Sequence, residues 1–339
     1  EKDTAADPDE SVSGDPNILP FGLTQHAPDV DGVIKEDEYT TQLEGLVDAS
    51  TNALYTYAAS IHTAADAEFL YVAAALEMPA EYTPKSISSE RDDPQQISGD
   101  SFQLFIRSDT NVSSEALSGA YIALGPGGNL YDAKETVDWR GGTNTRDAEV
   151  DYGVKSQVKV EGKDWIVEVA VPLESVGLSL EKDFSVSFGF LLEALSRKRV
   201  VFQTHPCWFD HYQAFGIGRF TPLGNRVGLG KLEQGKANIE FVVSNNGERP
   251  LQGEVRTMIA TPDIRQTVRD WNYDKMIGQE ISVVADSLLH HWDDRFSLEA
   301  RGGATLRDTY RIEELGSFLI KLESTVNGKP IYRQVLPFV

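Results

Sequence analysis

The chain has 339 residues, 53 of them acidic and 31 basic, for a formal net charge of −22, and it has one cysteine, Cys207. That balance lacks the basic footprint needed to neutralise nucleic-acid phosphates, and the same sign disfavours an anionic membrane surface. No run of about 18 apolar residues is present to insert into a bilayer, and one cysteine makes neither an intrachain disulfide nor a thiolate metal cluster. The charge is uneven: residues 1–40 carry −9 and residues 235–339 only −2. This asymmetry puts a domain boundary near residue 230.

Residues 1–17 are acidic, small and nearly free of apolar groups, and read as a flexible leader. From about residue 53 the pattern is β. Residues 67–76 form an apolar strand entered by an Asp66 turn, and residues 100–107 alternate as a half-buried strand does. Gly125-Pro126-Gly127-Gly128 is a turn between strands at 119–124 and 129–133. Residues 152–160 and 165–171 form a hairpin around 161–164, stopped by Pro172, with one helical turn at 173–176 closed by Gly177. Trp165 sits in an apolar strand and belongs to the core. Strands at 184–192 and 199–203 follow, and a Gly-rich stretch over 219–232 ends the first module.

In the second module, strands are expected at 237–244, 253–260, 280–284, 296–299 and 309–313, then a hairpin 317–323/330–335 around Asn327-Gly328. His290-His291-Trp292-Asp293-Asp294 reads as a solvated turn. A segment of about 105 residues with about seven strands has the size of an immunoglobulin-like sandwich. The sequence therefore specifies an all-β protein. It comprises a leader (1–17), a jelly-roll-like β-sandwich (18–232) and an immunoglobulin/fibronectin-like β-sandwich (233–339).

Four stretches, in order, resemble carbohydrate-binding module family 9. Asp31-Gly32 with Asp37-Glu38-Tyr39 is similar to its opening "DG…(D/E)E(W/Y)", and Leu70-Tyr71-Val72 to its "LYV" strand. Asp100-Ser101-Phe102-Gln103-Leu104-Phe105 is similar to "DSVE(I/L)F", and Trp165 to Leu173 to "W..E.AIPL". The resemblance implies a jelly-roll-like sandwich that binds a saccharide or polysaccharide without cleaving it. Two tryptophans sandwich the sugar in that family. Ile97 stands near one of those positions, and Trp208 matches the other. Gln103 replaces the glutamate that bonds the sugar.

Sugar binding needs flat aromatic faces beside amides and carboxylates. His205, Trp208, Asp210, His211 and Tyr212 supply these within one loop. The expected saccharide contacts are Trp208, His205, Gln103, Trp139 and Tyr82. Structural calcium, which the resemblance also suggests, would draw on Asp29, Asp31, Asp92 and Asp93, since calcium takes several oxygen ligands from irregular loops. The His205/His211 spacing is looser than paired zinc ligands show. Gly-x-Ser-x-Gly is absent, and acids are too plentiful to pick a glycosidase pair. The reading is a secreted, extracellular or cell-surface accessory module of a polysaccharide-degrading system, attached to or partnered with a catalytic domain. The alternatives are a glycoside-active enzyme with its site in the first module or between modules, and a structural cell-surface module without a small ligand.

Overall fold

The computed structural model describes residues 16–338, apart from 36, 49–52, 111–115, 139–142, 194–197, 203–215, 231–236, 268–279 and 312–315. Its strands up to residue 228 are β1 (Ile18–Gly22), β2 (Thr41–Glu44), β3 (Val47–Asp48), β4 (Ala53–Leu54), β5 (Ala59–Ala65), β6 (Phe69–Glu77), β7 (Ser101–Arg107), β8 (Ala116–Leu124), β9 (Leu130–Asp138), β10 (Thr143–Asp147), β11 (Lys155–Glu161), β12 (Asp164–Pro172), β13 (Phe184–Leu192), β14 (Lys198–Phe202), β15 (Gly216–Thr221) and β16 (Leu223–Gly228). Beyond it lie β17 (Ala237–Asn245), β18 (Leu251–Thr267), β19 (Glu280–Leu298), β20 (Gly303–Tyr310), β21 (Phe318–Val326) and β22 (Lys329–Phe338). Among the described residues the one helical element is a 3-10 turn, Pro94–Ser98. No described helix is long and apolar enough to cross a membrane. The protein is all-β, as its hairpin turns and two-residue periods specify.

The strands form two sheets. The first runs β10-β9-β8-β7-β13-β15-β1-β22-β21-β18-β19, with β14, β3 and β4 attached beside β13; the second runs β11-β12-β6-β5-β2-β16-β17-β20. Both sheets continue from the first segment into the second, through Ile18 opposite Arg333 and through the β16–β17 pairing of Leu223 with Asn245. Between the sheets lies one apolar core. Phe102, Leu104, Phe188 and Phe190 of the first sheet face Val72, Leu76, Trp165 and Val167 of the second, and the core continues to Phe241, Ile259, Leu322 and Tyr332. Trp165 is fully buried and meets Phe190 edge-on at 5.2 Å, as expected of a core residue.

Local chemistry explains several boundaries. Asn327 and Gly328 both have positive φ, which a two-residue hairpin turn matched to strand twist requires. Residues 173–177 form a hydrogen-bonded turn and not the helical turn expected, and it closes at Gly177, whose φ is 68°. Two further expectations are corrected. Residues 280–284 and 296–299 fall on one long strand, β19, and His290 to Asp294 lie inside it, paired with β18. Their mixed polarity follows from strand alternation and not from a turn. The alternation of β7 is genuine, yet the strand is buried along its whole length.

Two buried carboxylates, Glu168 and Asp100, tie segments distant in sequence together. Glu168 on β12 accepts hydrogen bonds from the backbone N–H of Asp31 (3.0 Å) and Gly32 (2.5 Å) and from the Tyr39 hydroxyl (2.9 Å). The opening stretch is thus docked onto the outer face of the second sheet. Burial raises the Glu168 carboxyl above the ordinary range, against those three donors, which lower it. Asp100 accepts from the Tyr82 hydroxyl, from Lys85 N (2.6 Å) and from Glu193 N (2.7 Å). These acids hold loops to strands.

Candidate functional site: an open cleft and a buried face

Strand periodicity sorts the side chains of the second sheet. Leu43, Ile61, Ala74, Leu76, Trp165 and Val167 point into the core. Their neighbours point outward, and pairing aligns them in rows: Glu44 opposite Ser60, Ser60 opposite Ala75, Ala75 opposite Ile166. Small residues in the middle of a row leave a trough between taller neighbours. A cleft of about 1130 Å³ opens here, lined among others by Glu44, Tyr57, Ser60, Ala75, Glu77 and Asp164. Ordinary ligand clefts span about 300–1,000 Å³, so it is roomy enough for an extended ligand.

Tyr57 is the feature that sets the cleft apart. It is 39% exposed, one of few large apolar side chains on the described surface. Its ring lies 5.6 Å from that of Tyr55, tilted by 56°. Tyr55 is buried, and its hydroxyl donates to the Glu77 carbonyl at 3.1 Å. Burial, its largest cause, raises the Tyr55 phenol well above its usual range, so it stays a neutral donor. Tyr57 therefore rests on an immobile partner, which reduces the ordering cost of presenting its free face. Gly45, with φ of 87°, lines the same cleft. A Cβ there would come within 2.8 Å of Leu229 Cδ1, so glycine lets the apolar end of the cleft close.

Among the described residues the charged groups that line the cleft are carboxylates. Glu44 Oε2 accepts Leu229 N at 3.1 Å. Glu77 is paired with Lys163, and that hydrogen bond holds its carboxyl below the ordinary range, so it stays ionised. Beside the trough, His62 Nε2 lies 3.0 Å from Ser60 Oγ. Burial first, and the Arg226 charge second, lower His62 to about 4, so it is neutral at pH 7.

Of the saccharide contacts expected from the sequence, Gln103 and Tyr82 are among the described residues and do not line this cleft. Trp208, His205 and Trp139 lie outside the described residues. Gln103 lies on the outer face of the first sheet, only 5% exposed, with its amide donating to Ser101 Oγ (2.9 Å) and to the Ile97 carbonyl (3.4 Å). Around it, Phe105, Tyr121 and Tyr131 form a second core; Arg146 lies over the Tyr121 ring at 4.4 Å and pairs with the buried Glu135 at 2.7 Å. Tyr82 turns its ring into the main core and its hydroxyl to Asp100.

The four aspartates divide into two separate pairs. Lys35 Nζ lies 2.9 Å from Asp29 and 3.0 Å from Asp31, supplying the positive charge there. Asp93 caps the 3-10 turn through Gln95 N at 2.9 Å, and Asp92 pairs with Arg91 at 3.1 Å. Among the described residues no three His, Cys, Asp or Glu side chains group as a metal site would.

Tyr57 carries no motif and escaped the sequence reading. The available signal was Tyr55-Thr56-Tyr57 followed by Ala58-Ala59-Ser60, together with the Ala73-Ala74-Ala75 run on β6. These are two aromatics beside strands too small-sided to fill the space above them.

No family model matches the chain, and no curated protein does. Among solved structures it is similar to a putative β-galactosidase from Bacteroides fragilis (10% identity, 87% of this chain, 35% of that one, TM-score 0.22). It is similar also to a carbohydrate-binding module family 9 from Caldicellulosiruptor kristjanssonii. In complex with glucose that module gives 18% identity over 60% of this chain and 95% of its own, with TM-score 0.39. In complex with cellotriose it gives 19% identity over 60% of this chain and 93% of its own, with TM-score 0.38.

Proposed function

We propose that the protein binds saccharide without cleaving it, at the cleft on the outer face of the second sheet. We propose further that it serves as an accessory part of a secreted polysaccharide-degrading system. The observation that carries the binding role is Tyr57, an exposed ring braced by Tyr55 at the edge of a trough lined by Gln42, Glu44, Ser60, Glu77 and Asp164. A sugar ring has an apolar C–H face and a rim of hydroxyls. The Tyr57 face takes the first by dispersion and loss of hydrating water, and the rim groups take the second. Glu77, paired with Lys163, accepts hydrogen bonds from sugar hydroxyls. A single stacking face gives an affinity on the order of 1 mM, about −4 kcal/mol.

Isothermal titration with cellotetraose, xylotetraose and mannotetraose tests this. Binding of at least one is expected, with loss in Tyr57→Ala and no reducing sugar released. Binding that survives Tyr57→Ala but disappears in Trp208→Ala would move the site to the segment 204–212 and overturn the cleft assignment.

A further inference from the structure

Resting on the saccharide reading, we infer that this cleft selects uncharged or cationic glycans and excludes uronates. Among the described residues the cleft is lined by three carboxylates, Glu44, Glu77 and Asp164, and by no lysine or arginine. Its other polar side chains are the Gln42 amide and the hydroxyls of Tyr55, Thr56, Tyr57 and Ser60, which both donate and accept. An ionised carboxylate only accepts, so the wall calls for a ligand rich in O–H or N–H donors. Among the described residues the cations next to the lining ones are each paired with an acid: Lys163 with Glu77, Lys159, opposite Ile166, with Glu161 at 2.8 Å, and Arg226, opposite Gln42, with Asp37 at 3.4 Å. The first pairing raises the Lys163 ammonium and lowers the Glu77 carboxyl, so both keep their charges across the neutral range.

A uronate would bring its own carboxylate against this wall with no lining cation among the described residues to receive it. Each such approach costs Coulomb energy in a partly desolvated groove, where the effective dielectric is below that of water. The field of the whole chain, at −22, has the same sign and slows the encounter of any polyanion. A glucosamine unit reverses both effects, because its ammonium donates to the carboxylates and follows the field. Stacking on Tyr57 is indifferent to this choice, since the C–H face is common to all three sugars. The aromatic thus supplies a general contact, and the carboxylates supply discrimination.

Three probes share one β-1,4-linked gluco backbone: cellotetraose, its C6-oxidised cellouronate tetramer, and the glucosamine tetramer. Titrated into the full chain in about 20 mM salt, the cellouronate is expected to bind at least about tenfold more weakly than cellotetraose, and the glucosamine tetramer more tightly. Both gaps should narrow in about 1 M salt, where the Debye length falls to about 3 Å. In the double variant Glu44→Gln/Asp164→Asn the ratio of cellouronate to cellotetraose affinity should rise to within about threefold of unity, amides being acceptors without charge. Cellouronate binding as tight as cellotetraose, with both lost in Tyr57→Ala, overturns the selectivity and leaves the saccharide reading standing. A cellouronate penalty unchanged in the double variant also overturns it. Silence of all three probes overturns it as well; silence of xylotetraose and mannotetraose in addition removes the saccharide reading.

Discussion

The two outer faces of the sandwich carry similar chemistry in opposite states. On the first sheet, Phe105, Tyr121 and Tyr131 lie with Gln103, Arg146 and Glu135, and Tyr121 and Glu135 are 1% and 0% exposed. On the second, Tyr55 and Tyr57 lie with Gln42, Glu44 and Asp164 around an open trough. Aromatic rings beside amides and carboxylates are the makings of a sugar site in either place. What separates them is whether the groups have already satisfied one another. Glu135 receives Arg146 and the Asn144 amide, and Gln103 is held by Ser101 and Ile97. Composition therefore marks candidates, and accessibility decides between a secondary core and a binding surface.

The comparison breaks first at Tyr121. Tyr121→Ala should destabilise the fold by about 3–5 kcal/mol in denaturant unfolding, because the buried ring packs against Phe105 with centroids 4.5 Å apart and planes tilted by 33°. A loss below about 1 kcal/mol would show the face to be loosely packed and reopen it as a site. Glu168→Ala comes next, at about 3 kcal/mol. It strands the Tyr39 hydroxyl and two backbone N–H groups that share its carboxylate. The matched Glu44→Ala in the open cleft should cost under about 1 kcal/mol, and parity between the two would contradict the distinction drawn between anchoring and lining acids.

Acid sharpens the contrast from another side. His62 has a folded-state value of about 4 against an ordinary 6.5, so the unfolded chain binds its proton first. Its contribution is complete above about pH 6.5, is lost as pH falls towards 4, and levels off below, on the order of 3 kcal/mol in all. Wild-type stability measured across that window should show this slope, and His62→Gln should flatten it. Gln103→Ala should cost about 1 kcal/mol, the worth of one or two neutral hydrogen bonds. The smallest stability effect is expected at Tyr57: Tyr57→Ala should stay within about 0.5 kcal/mol of wild type while saccharide binding disappears. A large drop in melting temperature there would make Tyr57 a packing residue.

Alternation, turn residues and strand breakers determined the all-β class, the Asn327-Gly328 hairpin, the turn closed at Gly177 and the burial of Trp165, because each follows from forces between near neighbours in the chain. The pattern of β7 also showed that Gln103 and Phe105 share a face opposite to Phe102 and Leu104. It could not show what lies over that face, and the strand proved buried on both sides. The two short strands expected at 280–284 and 296–299 are likewise one strand, β19, because β18 pairs with it from Glu280 to Leu298, through His290 and Asp293. The cleft is the clearest product of tertiary structure. Glu44, Ser60, Ala75 and Ile166 are scattered over more than a hundred positions and become one row only when β2, β5, β6 and β12 pair. A two-residue period states which side chains stand together on a strand, and only the pairing of distant strands decides whether the space above them is filled or left open.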